Sequence, residues 1–459
     1  MNREEAMAIL DSKDREAALE KIMELGNKAE KYDQLMGQAA ITPSGQKPPY
    51  EKENKGKRTK RKKPGRKNGH PGSKRKVPEK IDHYKDHTLE QCPHCHRHEL
   101  GQAIESYKRY IEDIPQIEPE VTEHTVYKHW CPHCREFVSA PVTEAQDNAN
   151  LGIGIVVLTA WLHYMVGISV RNVVKILSYV CSFPVTPGGL TQSWIRLANL
   201  LRPEYEHILE QIRHSAVLHA DETGWRLDGA SYWLWAFCTK EYCYYTITKC
   251  RGSPVVEQVL GVLFEGILIC DFWGAYNKLK ALAKQRCYFH LFTELVKVDK
   301  RSTSKEWKAF RKKLKRLLRD ALRLRDNKDH LDCQVYERRK KRLHDRLDML
   351  LETVAKDKDV RRLIKRLKRH QNEIFTFLDY DVSPENSHAE QQMRGPVISR
   401  KISQQNRSEA GAEAQAILMS IFRTAYLQGH NPVDYVTELS KSYIKQDNTQ
   451  KQDDIKMAA

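Results

Sequence analysis

Two short apolar runs, each closed by an aspartate, constrain this chain more than any other feature. The first is Ser215-Ala216-Val217-Leu218-His219-Ala220-Asp221, followed by Glu222-Thr223-Gly224-Trp225. The second is Gly266-Ile267-Leu268-Ile269-Cys270-Asp271, followed by Phe272, Trp273 and Gly274. Both are too short and too rich in β-formers for comfortable helices, and a continuous apolar run suits a strand buried on both faces. An α/β sheet covered by helices meets that condition. Each aspartate then stands at the C-terminal end of its strand, with Gly224 breaking the first, and ligand sites in open α/β sheets gather at such ends. A single aspartate of this kind is equally well read as a cap for the next turn. Two in one block favour a site.

The sequence around these runs supplies further strands. Residues 232–239 and 242–248 read as a hairpin after the Asp221 strand, and 253–263 as a helix leading to the Asp271 strand. Three early strands, a helix and a fourth strand, with acids on the first and fourth, is an RNase H-like order. Cys287-Tyr288-Phe289-His290 falls on a fifth strand and the start of the next helix; with only two ligands there, a packed Cys and a hydrogen-bonded His are simpler than a metal site. Residues 303–373 are helical and highly charged, with one apolar stripe of Trp307, Phe310, Leu314, Leu317, Ala321 and Leu324 and another of Leu343, Leu347, Leu350 and Val354. They read as an insertion whose Lys and Arg mostly form a solvated face.

Charge bounds the partner. The 459 residues carry 77 Lys plus Arg against 60 Asp plus Glu, a net charge of +17, and the pI is near 9.2. Such a surplus favours a polyanion, most simply nucleic acid. Much of it is local: Lys55 to Lys76 holds twelve Lys or Arg and no acid, with Pro64-Gly65 and Gly69-His70-Pro71-Gly72 interspersed. A block like that buries no core and orders against phosphate, through Lys60, Arg61, Lys62, Lys63, Arg66 and Lys67, with strong salt dependence; a solvated tail or localisation signal is the competing reading. No run approaches the roughly 18 apolar residues of a membrane span, and the start reads as a charged helix rather than a signal peptide. We therefore expect a cytoplasmic, nucleoid-associated protein with no membrane partner and with its eleven cysteines reduced.

In that setting Cys92-Pro93-His94-Cys95 and Cys131-Pro132-His133-Cys134 have the spacing of a structural four-thiolate Zn²⁺ site. Strands over 107–114 and 121–130 would bring the two knuckles together, leaving His94 and His133 as bystanders. Upstream, Ala18, Ile22, Leu25, Ala29, Tyr32 and Met36 trace a short heptad seam interrupted by Gly26, read equally as a coiled coil or a lone amphipathic helix. Downstream, 151–213 is helical, and Pro187-Gly188-Gly189 marks a turn before Leu190-Thr191-Gln192-Ser193-Trp194-Ile195-Arg196, compatible with helix-turn-helix DNA binding but also with plain packing. The resulting division is an N-terminal helix (1–40), basic linker (41–80), zinc-binding β module (81–145), helical DNA-binding segment (146–213), first part of the α/β core (214–300), helical insertion (301–378), second part of the core (379–440) and tail (441–459).

Taken in order, the basic Pro-Gly-Arg-Lys-Asn-Gly-His-Pro-Gly segment, the paired Cys knuckles, Ala220-Asp221-Glu222-Thr223-Gly224-Trp225, Asp271 and Ser383-Pro384-Glu385-Asn386-Ser387-His388-Ala389-Glu390 resemble the transposases of the insertion sequence 66 family. The resemblance implies an RNase H-like core with an Asp-Asp-Glu set at Asp221, Asp271 and Glu390. Local sequence alone would not separate Glu390 from Glu385 or Glu409; the Ala-Glu pair after an Asn, with Arg394, Arg400 and Lys401 downstream, selects it. The chain departs from the family at Gln391, where Arg is usual, and at Leu291-Phe292, where paired Arg is usual. The implied chemistry is DNA transposition with two Mg²⁺ (or Mn²⁺) ions roughly 3.5–4 Å apart, Asp221 bridging both and Asp271 and Glu390 binding one each, while Arg394, Arg400 and Lys401 hold phosphates. Implied partners are double-stranded DNA at the element ends and target, a second copy of the chain, and accessory proteins of the element. Two other readings stay open: a zinc-containing DNA-binding protein with an inactive core, and an RNase H-like nuclease without strand transfer.

Overall fold

The computed structural model describes residues 77–458, with side chains through 446. The helix expected over 1–40 and the basic segment with Lys60, Arg61, Lys62, Lys63, Arg66 and Lys67 lie outside the described residues. Among those described, the chain separates into a smaller unit of 77–123 with 174–185, and a larger one of 124–173 with 186–458.

Residues 77–123 contain no helix or strand. The strand expected over 107–114 does not form: Tyr107, Ile111 and Ile114 are all exposed, and without a partner strand or an apolar surface to cover, alternation alone does not stabilise a ladder. In the larger unit, only the end of the second expected strand pairs, as β1 (Lys128–Cys131) against β2 (Glu136–Ser139), with Trp130 opposite Phe137 and their rings edge to face at 5.2 Å.

Four helices follow: α1 (Ile153–Tyr164), α2 (Val170–Val180), α3 (Pro187–Leu200) and α4 (Arg202–Arg213). Pro187-Gly188-Gly189 is the first turn of α3 rather than a separate turn. Thr186 Oγ1 accepts the Gly189 N–H at 3.0 Å, and proline suits the first helical position because its missing N–H would be unpaired there anyway. Trp194 of α3 is fully buried and donates to Thr159 of α1 at 3.1 Å.

The sheet comprises β3 (Val217–Leu227), β4 (Ala230–Cys238), β5 (Cys243–Thr248), β6 (Leu263–Cys270) and β7 (Lys280–Arg286), with α5 (Ser253–Leu260) between β5 and β6. Its order is β5-β4-β3-β6-β7; β4 runs antiparallel to its neighbours β5 and β3, and β6 and β7 run parallel to β3. The hairpin, helix and strand sequence expected from the chain is found. Gly224, however, does not break β3: it pairs with Trp233, and the ladder with β4 continues to Leu227 opposite Ala230. The parallel ladder with β6 stops at His219 opposite Ile269. Asp221 therefore sits within a strand, but just beyond the end of its parallel pairing.

After β7 come α6 (Tyr288–Asp299) and the insertion, formed by α7 (Lys305–Asp326), α8 (Cys333–Leu351), α9 (Lys358–Arg369) and the short α10 (Thr376–Asp379). Ser304, Asp332 and Asp357 cap the three long helices with side-chain oxygens. The expected stripe on α7 is buried throughout, as are Leu343, Leu347 and Leu350, but Val354 is 95% exposed because α8 ends at Leu351. These helices share one apolar core with Ile267 and Ile269 of β6 and with Tyr288, Leu291 and Phe292 of α6. At its root, the fully buried Arg286 donates to Glu373 at 2.6 Å, to the Asp271 carbonyl at 2.6 Å and to Asn277 at 3.0 Å.

The chain then returns as α11 (Ser387–Ser403), α12 (Glu409–Leu427) and α13 (Pro432–Ala458). Helix α11 packs on β3 and β4, and α12 packs on β5 and against α1 and α3. Ser420 and Thr424 of α12 accept the β5 backbone N–H groups of Tyr245 and Cys243 at 2.8 and 3.1 Å, closing that sheet edge. The expected tail continues as α13, with Ser440 and Ile444 buried. Among the described residues no helix is long and apolar enough to cross a membrane.

Burial raises the Glu373 carboxyl, but hydrogen bonds from His370 and Arg286 more than offset it and hold the group at about 2, against a usual 4.5. A depressed carboxyl stabilises the fold fully above pH 4.5 and loses that contribution as pH falls through about 2. Glu373→Gln is expected to strand the Arg286 charge, lower the unfolding free energy at neutral pH by about 3–5 kcal/mol, and flatten the acid dependence between those limits. Urea unfolding followed by tryptophan fluorescence across pH checks both; a variant as stable as the parent would show that the pair contributes nothing.

Candidate active site

Three elements supply the acids. Asp221 is carried by β3, Asp271 directly follows β6, and Glu390 lies in the first turn of α11. What seats α11 against the sheet is Asn386, the residue before its first turn, which is wholly buried. Its side-chain N–H donates to the Ala220 carbonyl at 2.7 Å, its Oδ1 faces His219 Nδ1 at 3.2 Å, and its backbone N–H points at Cys287 Sγ at 3.2 Å. One residue thus joins the residues before Asp221, the residue before α6 and the start of the helix that bears Glu390.

The acids repel one another. Burial, then the charges of Glu222, Asp271 and Glu390, push the Asp221 carboxyl well above the usual range. Burial, reinforced by Asp271 and partly offset by His290 and Arg394, also raises Glu390. Glu222, next along β3, is raised to about 7 by burial and Asp271 even though Tyr276 and Arg251 donate to it at 2.8 and 3.0 Å. Arg251 is itself sandwiched between the Trp233 and Trp273 rings, at 4.1 and 3.9 Å from their centroids. Trp273 donates its backbone N–H to Asp271 Oδ1 at 2.7 Å, so this stack continues to the second acid.

Glu390 Oε1 is buried without a hydrogen-bond partner and lies 3.5 Å from His290 Nδ1, which is in the same condition. Of the two glutamates that competed with Glu390 in the sequence, Glu409 is exposed at the start of α12. Glu385 is buried and pushed up to about 8 by burial and by Glu390, and neither aspartate contributes to that shift. The fold therefore couples Asp221, Asp271 and Glu390, with Glu385 coupled to Glu390 alone and Glu409 on the surface.

The remaining expected residues are dispersed. Arg394 and Lys401 are exposed on α11. Arg400, by contrast, donates to the Thr223 hydroxyl at 3.2 Å and to the Gly224 carbonyl, acting as a latch between α11 and β3. Each Cys-x-x-Cys is a turn closed by a left-handed residue just after it, His96 and Arg135 respectively. In each, the N–H groups of the following residues point at the first sulfur, led by those of Cys95 and Cys134, and lower the Cys92 and Cys131 thiols.

Sequence reasoning missed Glu222, Arg251 and Tyr276. Adjacency to Asp221 could have flagged Glu222, but nothing local marks Arg251 or Tyr276, because their role comes from strand register. His290 was expected to be hydrogen-bonded; its Nδ1 instead faces Glu390 Oε1 of α11 at 3.5 Å without a hydrogen bond.

The family described as transposase IS66 matches residues 149–414, and the zinc-finger binding domain of transposase IS66 matches residues 90–135. No curated protein matches the chain.

Because the clustered charges oppose one another in the metal-free protein, Asp221→Asn is expected to raise its stability by on the order of 1 kcal/mol. Thermal unfolding in chelator at neutral pH measures this, and a drop of similar size would mean that Asp221 holds the fold through hydrogen bonds instead.

Proposed function

Because the chain belongs to the transposase IS66 family, we propose that it is a DNA transposase in which Asp221, Asp271 and Glu390 form the Asp-Asp-Glu catalytic set of an RNase H-like core. The observation that carries this reading is the return of the chain after the insertion: α11 sets Glu390 where its charge acts on Asp221 and where the charge of Asp271 acts on it. The strand order β5-β4-β3-β6-β7, antiparallel on one side of β3 and parallel on the other, is the order such a core requires. The domain division expected from the sequence carries over to this proposal, with 214–300 and 379–440 as the two parts of the core.

Converging carboxylates that repel one another suit hard divalent cations such as Mg²⁺ or Mn²⁺. When bound, two such ions supply polarisation of the phosphate and charge stabilisation of the attacking and leaving oxygens. The chain's own part is positional. Asp221, Asp271 and Glu390 hold the ions, Asn386 fixes the approach of α11, and Arg251 with Tyr276 keeps the Glu222 carboxylate directed inward. Arg394, exposed one turn beyond Glu390, and Lys401 meet DNA phosphates, whereas Arg400 works through β3.

In the first step water attacks phosphorus at the element end and frees a 3′-hydroxyl. That hydroxyl then attacks phosphorus in the target strand, each step exchanging one P–O bond for another with no covalent enzyme intermediate. The basic segment with Lys60, Arg61, Lys62, Lys63, Arg66 and Lys67 adds phosphate contacts, and the thiols of Cys92, Cys95, Cys131 and Cys134 hold one structural Zn²⁺. Joining two ends calls for at least two copies of the chain, acting in the cytoplasm with the element's accessory proteins. The departures at Leu291 and Phe292 leave this scheme intact: both are buried in the core shared with the insertion, where paired Arg would be stranded.

Incubation of labelled element ends and a target duplex with Mg²⁺ is expected to yield nicked ends and joined products, and Asp221→Asn to reduce both on the order of a thousandfold. Full activity of the variant would refute the assignment. Nicking without joining would mark a nuclease, and metal-independent binding with neither product would mark an inactive DNA-binding protein. Cys131→Ser is expected to lose the structural zinc, read by metal analysis of the purified protein, and undiminished zinc would contradict the four-thiolate site.

A further inference from the structure

We propose that Cys287, His290 and Glu390 form a binding site for a single zinc-class divalent ion. Cys287 occupies the cap position of α6, its buried sulfur facing the first backbone N–H groups of that helix. His290 follows three residues later, on the same face of the helix. Glu390 is brought alongside by α11, whose preceding residue Asn386 directs its N–H to Cys287 Sγ at 3.2 Å. One ligand atom from each of the three side chains lies within 4.8 Å of the others.

Two of these atoms have their hydrogen-bonding capacity unused. His290 Nδ1 and Glu390 Oε1 are shielded from solvent, lack a hydrogen-bond partner, and face each other at 3.5 Å. A buried polar atom left unpaired costs about 1–3 kcal/mol, and here two such atoms converge with a sulfur beside them. An ion among the three would satisfy both.

The donor set selects the ion. One sulfur, one imidazole nitrogen and one carboxylate oxygen suit Zn²⁺, which takes such ligands in tetrahedral sites and leaves a fourth position open with three protein donors. Mg²⁺ favours oxygen ligands in octahedral array and is poorly served by sulfur. An ion in this place would take Glu390 Oε1, leave the other oxygen of that carboxylate to the set with Asp221 and Asp271, and tie α6 to α11. The proposal rests on these three side chains and does not depend on strand transfer.

The test uses the full-length chain stripped of metal and reloaded with Co²⁺ as a spectroscopic substitute for zinc, in excess Mg²⁺. The parent protein is expected to retain one more equivalent of Co²⁺ than either His290→Ala or Cys287→Ser, and each variant to lose part of the thiolate-to-cobalt charge-transfer band. Cys131→Ser is expected to lose a different equivalent and to keep the one that depends on His290. Equal Co²⁺ content and identical spectra for the parent and both trio variants would overturn the proposal and leave a bare histidine–carboxylate ion pair. Should His290→Ala fail to fold by circular dichroism, the near-isosteric Cys287→Ser carries the comparison alone.

Discussion

A single buried asparagine holds the candidate site together. Asn386 has no exposure to solvent, and its hydrogen-bonding groups reach β3, Cys287 and the first turn of α11 at once. An unsatisfied amide in that position would be costly, so its partners cannot drift apart independently. The separation in sequence between Asp221 and Glu390 is bridged at this point, and the rest of α11 follows from it: Arg400 latches the far end of the helix to Thr223 and Gly224. Helix α12 then covers the β5 edge through Ser420 and Thr424.

The second constraint is electrostatic. A cluster of carboxylates in a half-buried cleft is unfavourable unless cations balance it, and the protein supplies only part of that balance. Arg251 is aligned by two tryptophan rings and directed at Glu222, and His290 faces Glu390. Among the described residues Asp221 receives no comparable cation, and its carboxyl is pushed well above the usual range. Stability is given up where divalent cations would restore it, as is usual for functional sites.

Much of the α/β block was legible because its strands are apolar on both faces: the runs before Asp221 and Asp271, the 232–248 hairpin and the stripe on α7 all appear where periodicity put them. The failures have physical causes. Gly224 was read as a break, but β4 offered a ladder that carried β3 through it. The alternation over 107–114 found no facing surface, and Val354 continued a helical repeat past the end of its helix. For the site, Asp221 and Asp271 followed from strand pattern, whereas Glu390 followed from a resemblance and became physically intelligible only through Asn386. Arg400 looked like a phosphate ligand because its sequence context shows its charge but not its contact with Gly224.

The root of the insertion differs in kind from its tips. Residues 327–330 and 352–354 are exposed connections between helices, and changes of length there disturb no core. At the base, Arg286 links Glu373 to the backbone carbonyl of Asp271 itself. The insertion is therefore not an appendage that could be excised to leave a minimal core: cutting it away would bare a guanidinium beneath the second acid. Variation among related chains should accumulate at the hairpin ends and leave the Arg286–Glu373 junction alone, so that the region acts as a buttress whose outer dimensions are free and whose footing is not.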